Sequence, residues 1–225
     1  MVTNRLKAFI SYSTTDKAAG AEVKRALNAF GVDSFLAHND LRISDEWKDR
    51  ILEELTQCHI FVPLLSKAFR TSNWTQQETG IAVSRKGVLI IPLSLDGTVP
   101  FGFISHIQGK EVPESGAESS MFQDLLLEWF PRAIIPALIE RAAEASSFRG
   151  AEALVEPLVD LFPVFSKKEA NQFATAAVAK RQIWSADLCR TEYLPAFLKS
   201  QGKNISRKTL KALKYQIEND EHYPA

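Results

Sequence analysis

Short apolar runs alternate with helical patterns over the first half of the chain, the order expected when a parallel sheet is flanked by helices. Ala8 to Tyr12 reads as a first strand. Asp16 stands where a helix over about Lys17 to Ala29 needs a cap; Val23, Leu27 and Phe30 recur on one face, and Gly31 is available as a left-handed stop. Val32 to Ala37 is a second strand, and the polar stretch His38 to Ser44 leads to a helix in which Trp47, Ile51 and Leu55 recur at intervals of four. That spacing assigns Trp47 to the core. The continuous apolar run His59 to Leu65 predicts a central strand covered on both faces. Ser72 or Asn73 can cap a third helix running to about Arg85, with Gln76 three residues after Asn73 as in a capping box. Val88 to Leu95 gives a fourth strand, and Phe103 to Val112 a weaker fifth with Gly109 inside it.

Beyond Pro113 the period changes and strand signals stop, which places a boundary near Glu114 to Glu118. The expected organisation is an α/β domain over residues 1–115, a flavodoxin-like parallel sheet of five strands, followed by a smaller all-α domain over residues 118–225 in a regulatory or oligomerisation role. Ser166 with Glu169 forms a capping box, and Ser206 opens a helix in which Leu210, Leu213 and Ile217 share a face. Pro131, Pro136, Pro157, Pro163 and Pro195 divide the region into about five helices. No internal repeat is visible.

Composition narrows the function classes. The chain has 225 residues, and its 27 basic side chains cancel its 27 acidic ones. This removes the broad positive surface expected of nucleic-acid or anionic-lipid binders, so the expected partners include neither nucleic acid nor membrane. Cys58 and Cys189 are too few and too distant for a disulfide framework or a zinc site. The polar start from Met1 to Lys7, with no long apolar run later, gives the expectation of a cytoplasmic protein. His38, His59, His106 and His222 lack metal-ligand spacing, so no metal is expected. Walker, dinucleotide-fingerprint, nucleophile-elbow and zinc-protease motifs are missing.

What remains lies at the carboxyl ends of the expected strands, where open α/β sheets bind ligands. Three segments share that rim: Phe9-Ile10-Ser11-Tyr12-Ser13 with Asp16, Asp40-Leu41-Arg42-Ile43-Ser44-Asp45-Glu46-Trp47, and Pro63-Leu64-Leu65-Ser66 running on to Ser72-Asn73-Trp74-Thr75-Gln76-Gln77-Glu78. The F-I-S-Y-S-x-x-D opening, the D-hydrophobic-x-x-G-x-x-W pattern after the second strand and the S-x-W-x-x-x-E pattern entering the third helix resemble the TIR (Toll/interleukin-1 receptor) domain family in its bacterial branch, over about residues 5–113. Two positions depart from the family pattern. Ser44 stands where glycine is usual and Thr75 where many members have cysteine; serine is less at ease than glycine at positive φ.

Trp74 and Glu78 are four residues apart, so on a helix they lie one turn apart on the same face, an aromatic plane beside one carboxylate. The resemblance implies that Glu78 is catalytic for cleaving the nicotinamide–ribose bond of NAD+ and that Trp74 lines the site; Ser11, Tyr12 and Asp40 are further candidate substrate contacts. NAD+ would be substrate, with no separate cofactor. One acid suffices for such chemistry. Ordinary glycosidases need two carboxylates because the leaving oxygen must be protonated, whereas nicotinamide leaves neutral from a cationic pyridinium. Without the family pattern, Trp74 reads as a helix-packing aromatic, Glu78 as a solvated surface carboxylate, Ser11 and Tyr12 as a strand end, and Asp40 as a turn residue.

The expectation is thus a TIR-type NAD+ hydrolase or cyclase, silent until it self-associates through the TIR and helical domains, acting in bacterial antiphage defence. A non-catalytic TIR adaptor is the alternative, and a flavodoxin-like or deoxyribosyltransferase-like nucleoside-handling protein a third reading. The tract Lys199, Lys203, Arg207, Lys208, Lys211 and Lys214, with no acid between, reads as a solvated helical face.

Overall fold

The structure is a computed structural model that describes residues 5–37 and 47–219. Its contacts divide the chain into two compact units, the first ending at Trp129 and the second beginning at Phe130. The division falls later than the composition shift at Glu114 to Glu118, and α5 (Ser120–Trp129) belongs with the first unit. No helix among the described residues is long and apolar enough to cross a membrane.

The first unit is a parallel sheet with helices around it. β1 (Lys7–Ser11) pairs with β2 (Asp33–Leu36) on one side and β3 (Ile60–Leu65) on the other. β4 (Leu89–Ile90) and β5 (Leu93–Ser94) both pair with β3, and β6 (Lys110–Glu111) closes the order β2-β1-β3-β5-β6. All six residues of β3 are buried, as its unbroken apolar run predicts.

The expected fourth strand, Val88 to Leu95, is two pieces in one register. Ile60 lies opposite Leu89 and Leu64 opposite Leu93, so the same offset sets Pro63 opposite Pro92. Ile91 donates to the Phe61 carbonyl at 2.9 Å; the next bond back from β3 would need an N–H on Pro63, which has none. The ladder resumes one step later. The expected fifth strand shrinks to β6, because Gly102–Ile104 forms a 3-10 turn that inserts Ile104 beside Leu65 and Phe69 in a small apolar cluster.

α1 (Lys17–Asn28) packs on one face of the sheet, against β1 and β2, and the turn that follows it closes at Gly31 with φ 72°. On the other face, α2 (Trp47–Gln57) and α4 (Asn73–Val83) cover Phe9, Phe35 and Phe61 with Ile51, Leu55 and Ala82. The short α3 (Lys67–Thr71) precedes α4.

The second unit is helical: α6 (Pro131–Ala143), α7 (Phe148–Val159), α8 (Lys167–Ala179), α9 (Arg181–Trp184), α10 (Leu194–Gln201) and α11 (Arg207–Glu218), with a π turn over Cys189–Tyr193. Pro136 and Pro157 sit inside α6 and α7 and do not end them, which corrects the expected division at every proline. Phe162, Phe165, Phe173 and Phe197 interlock edge-on or tilted at its centre, with centroid separations from 4.8 to 6.3 Å. The Ser166–Glu169 capping box forms in full at the start of α8.

Candidate active site

The site is built where β1 stops and α4 starts. Side chains alternate along β1, so Phe9 and Ser11 face α2 and α4 while Tyr12, the next residue, turns to α1. Tyr12 is fully buried there. A Cβ on Gly20 of α1 would stand 3.4 Å from two of its ring carbons and 3.2 Å from Leu36, so the missing side chain at Gly20 lets α1 close down on the ring.

α4 is anchored before it reaches the sheet. Ser72 is its cap, its hydroxyl accepting from the Thr75 N–H at 3.4 Å. Gln76 does not complete a capping box from Asn73; its amide donates to the Arg70 carbonyl at 2.8 Å and ties α4 to the end of α3. Thr75, where many family members carry cysteine, is fully buried and donates to the Phe69 carbonyl at 2.6 Å and the Ser72 carbonyl at 3.0 Å. One turn on, Thr79 donates to the Thr75 carbonyl at 2.7 Å. The buried face of α4 is therefore Thr75, Glu78, Thr79 and Ala82, an unusually polar surface to lay on a sheet.

Glu78 lies at the centre of that face and is only 2% exposed. The Ser11 hydroxyl donates to its Oε2 at 2.5 Å. Its Oε1 is buried and has no hydrogen-bond partner among the described residues. Burial pushes the carboxyl up from 4.5 to about 7, with the Ser11 hydrogen bond pulling in the opposite direction. The solvated-surface reading of Glu78 does not hold: this is a carboxylate held out of water by the fold, with one oxygen fixed and the other unsatisfied.

Trp74, one turn earlier on α4, is 42% exposed, at the outer end of the same helix. The structure thus joins Ser11 to Glu78 directly, sets Trp74 on the same helix toward the surface, and directs Tyr12 to the opposite side of β1. Asp40, the His38 to Ser44 loop and the Trp47 side chain lie outside the described residues.

Further along the rim, Ser66 after β3 donates to Asp16 Oδ2 at 2.6 Å while accepting from the Phe69 N–H as the cap of α3. Asp16, at the head of α1, makes no side-chain cap. Asp96 accepts from Thr98 and from the Lys67 N–H, bonds that hold its carboxyl below the ordinary range. The rim carries carboxylates and hydroxyls, and Glu78 is its buried carboxylate with one oxygen unpaired among the described residues; the buried Ser94 hydroxyl at the end of β5 is likewise unpaired. Sequence reasoning had no signal for the Asp16–Ser66 bond, because the two residues are fifty positions apart.

A parallel α/β unit with a buried carboxylate at the carboxyl ends of its strands has the layout in which open α/β sheets bind ligands. The model of the family described as "TIR domain" matches residues 8–126, more than half of the chain, and the chain belongs to the TIR domain family. No curated protein matches it.

Proposed function

We propose that this protein is an NAD+ glycohydrolase that cleaves the bond between nicotinamide and ribose, acting after self-association in a bacterial defence role. The observation that supports this is the Glu78 carboxylate, buried on α4 with Oε2 held by Ser11 and Oε1 left without a partner among the described residues. Buried polar atoms are almost always paired, so an orphan oxygen at a ligand-binding rim fits an oxygen kept for a ligand.

The chemistry asks little of the protein. As the C–N bond breaks, its electron pair goes to the pyridinium nitrogen, nicotinamide leaves neutral, and positive charge develops on the ribose. An ionised Glu78 stabilises that charge and orients the ribose hydroxyls, and it does so most strongly where water is excluded. Water then adds at the sugar carbon, releasing one proton and giving ADP-ribose; attack by the substrate's own adenine gives a cyclic product instead. A side chain 2% exposed is out of reach of a dinucleotide until its surroundings shift. Self-association is the trigger assigned to that opening.

The same burial favours a second reading, a docking module in which Glu78 has no chemical part. NAD+ loss, followed in purified protein concentrated or crowded to force association, separates the two. Glu78→Gln keeps the shape and a partner for Ser11 while removing the charge, and is expected to abolish turnover. Equal turnover in the variant, or intact NAD+ with associated wild type, overturns the enzymatic reading.

A further inference from the structure

Two edges of the helical unit each carry a run of charges of one sign. On α11, Arg207, Lys208, Lys211 and Lys214 fall within about a third of the helix circumference at ~100° per residue. All four are exposed, with Tyr215, 66% exposed, among them and Glu218 at the far end. The opposite side of α11 carries Leu210, Leu213 and Ile217. No ion pair is formed by these four cations among the described residues.

The acidic counterpart is α7. Glu152, Glu156 and Asp160 follow at intervals of four, and no basic residue occurs between Arg149 and Lys167. They lie away from the buried Ala151, Val155 and Leu158. Glu192 of the π turn joins them: the Tyr193 phenol is raised above its ordinary value by burial first, then by Glu156, Cys189, Glu192 and Glu152, which puts these carboxylates in one neighbourhood. The two edges do not serve each other within one copy. α7 packs mainly on α6, α9 and the π turn, whereas α11 packs mainly on α8 and α9.

We infer that the helical unit carries its own self-association contact, in which the basic edge of α11 in one copy docks on the acidic edge of α7 in the next. The partner is a second copy of this chain because the complementary charge is on the chain itself. Joining two different edges either closes reciprocally as a two-fold pair or leaves one of each open and grows as a ring or an open chain. Exposed ion pairs contribute about 0 to 1 kcal/mol each. Four or so give a weak contact that forms at raised local concentration and fades with salt, as a trigger for assembly requires. The inference rests on the self-association part of the proposed function and is independent of its chemistry.

The test uses the full chain and reads mass, not NAD+, so its failure leaves the glycohydrolase reading standing. Sedimentation velocity on the wild type is expected to show species heavier than one chain that dissociate between about 0.05 M and about 0.5 M salt. Lys208→Glu, Lys211→Glu and Lys214→Glu together make both edges acidic, and Glu156→Lys, Asp160→Lys and Glu192→Lys together make both basic; each triple variant alone should associate at least about tenfold more weakly. Mixed in equal amounts, the two should recover the heavy species, with circular dichroism confirming that both are folded. A wild type that stays single, a variant that assembles like wild type, or a mixture that does not associate overturns the inference. So does a basic edge that binds single-stranded RNA or phosphatidylserine vesicles while the chain stays single.

Discussion

At the residue scale, Glu78 fixes what pH should do. A carboxyl raised from 4.5 to about 7 is mostly neutral in mildly acidic solution, and only its ionised form can stabilise a developing sugar cation. The pH profile of kcat/KM should therefore rise through an apparent pKa near 7. The kcat profile should rise at lower pH, because a bound pyridinium beside the carboxylate favours its charged form. Ser11→Ala removes the hydrogen bond that pulls the pKa down and should move the kcat/KM limb to higher pH; no movement, or movement the other way, contradicts the assigned pairing.

Stability has the opposite pH sign to a usual salt-bridged acid. The folded state holds the Glu78 proton more tightly than the unfolded chain does, so this group costs nothing below about 4.5 and its penalty is complete above about 7. That interval corresponds to roughly 3 kcal/mol. Denaturant midpoints should show Glu78→Gln gaining stability over wild type as pH rises from 5 to 8, by up to about that amount. A gain that is constant across this range would mean that burial does not hold the proton.

At the element scale, Arg85 secures the far end of α2. Its guanidinium Nη1 donates to the Leu55 carbonyl at 2.5 Å and the Cys58 carbonyl at 2.9 Å, acceptors that the end of the helix leaves unsatisfied. Arg85→Met keeps the aliphatic stem, strands the Cys58 carbonyl and leaves the Leu55 carbonyl only the Cys58 thiol, at 3.3 Å. It should lower stability by about 1 to 3 kcal/mol in urea titration. A change well under that range would show that water replaces the guanidinium without loss.

Element type was legible wherever a local rule decides. Gly31 closes the turn after α1 as its sequence position implies, Ser166 with Glu169 caps α8, and the uninterrupted run before Ser66 is a strand buried on both faces. Apart from Pro136 and Pro157, which α6 and α7 absorb, the failures are non-local. Pro63 breaks the ladder between β3 and its neighbour only because of what lies opposite it. Gln76 leaves its expected box because α3, five residues long and too short to show a helical period, places the Arg70 carbonyl within reach. Of the site, the Glu78–Trp74 spacing and the rim position of Ser11 were readable. The opposed directions of Ser11 and Tyr12 depend on which helix covers which face, and the burial of Glu78 depends on Thr75 and Thr79 making the rest of the α4 face compatible with the sheet.

At the scale of the whole molecule, the division at Trp129 assigns α5 to the sheet-bearing unit. Phe122 and Leu126 are fully buried, and Lys110 and Glu22 reach the segment around α5 through the Met121 carbonyl at 2.9 Å and the Ala117 N–H at 3.4 Å. A fragment ending at Trp129 should unfold cooperatively. One ending at Ser115 forfeits the burial of both side chains, about 1.5 to 3 kcal/mol each, and should unfold at lower urea. Equal midpoints would place the functional boundary back at the composition shift.

The central claim is that one buried carboxylate confers catalysis on this TIR domain. The most direct measurement is a chromatographic time course of NAD+ incubated with wild type and with Glu78→Gln under associating conditions. Nicotinamide appearing in equal amount to the NAD+ lost, with wild type alone, is the predicted result. NAD+ that survives the associated wild type, or that disappears equally with the variant, would contradict it.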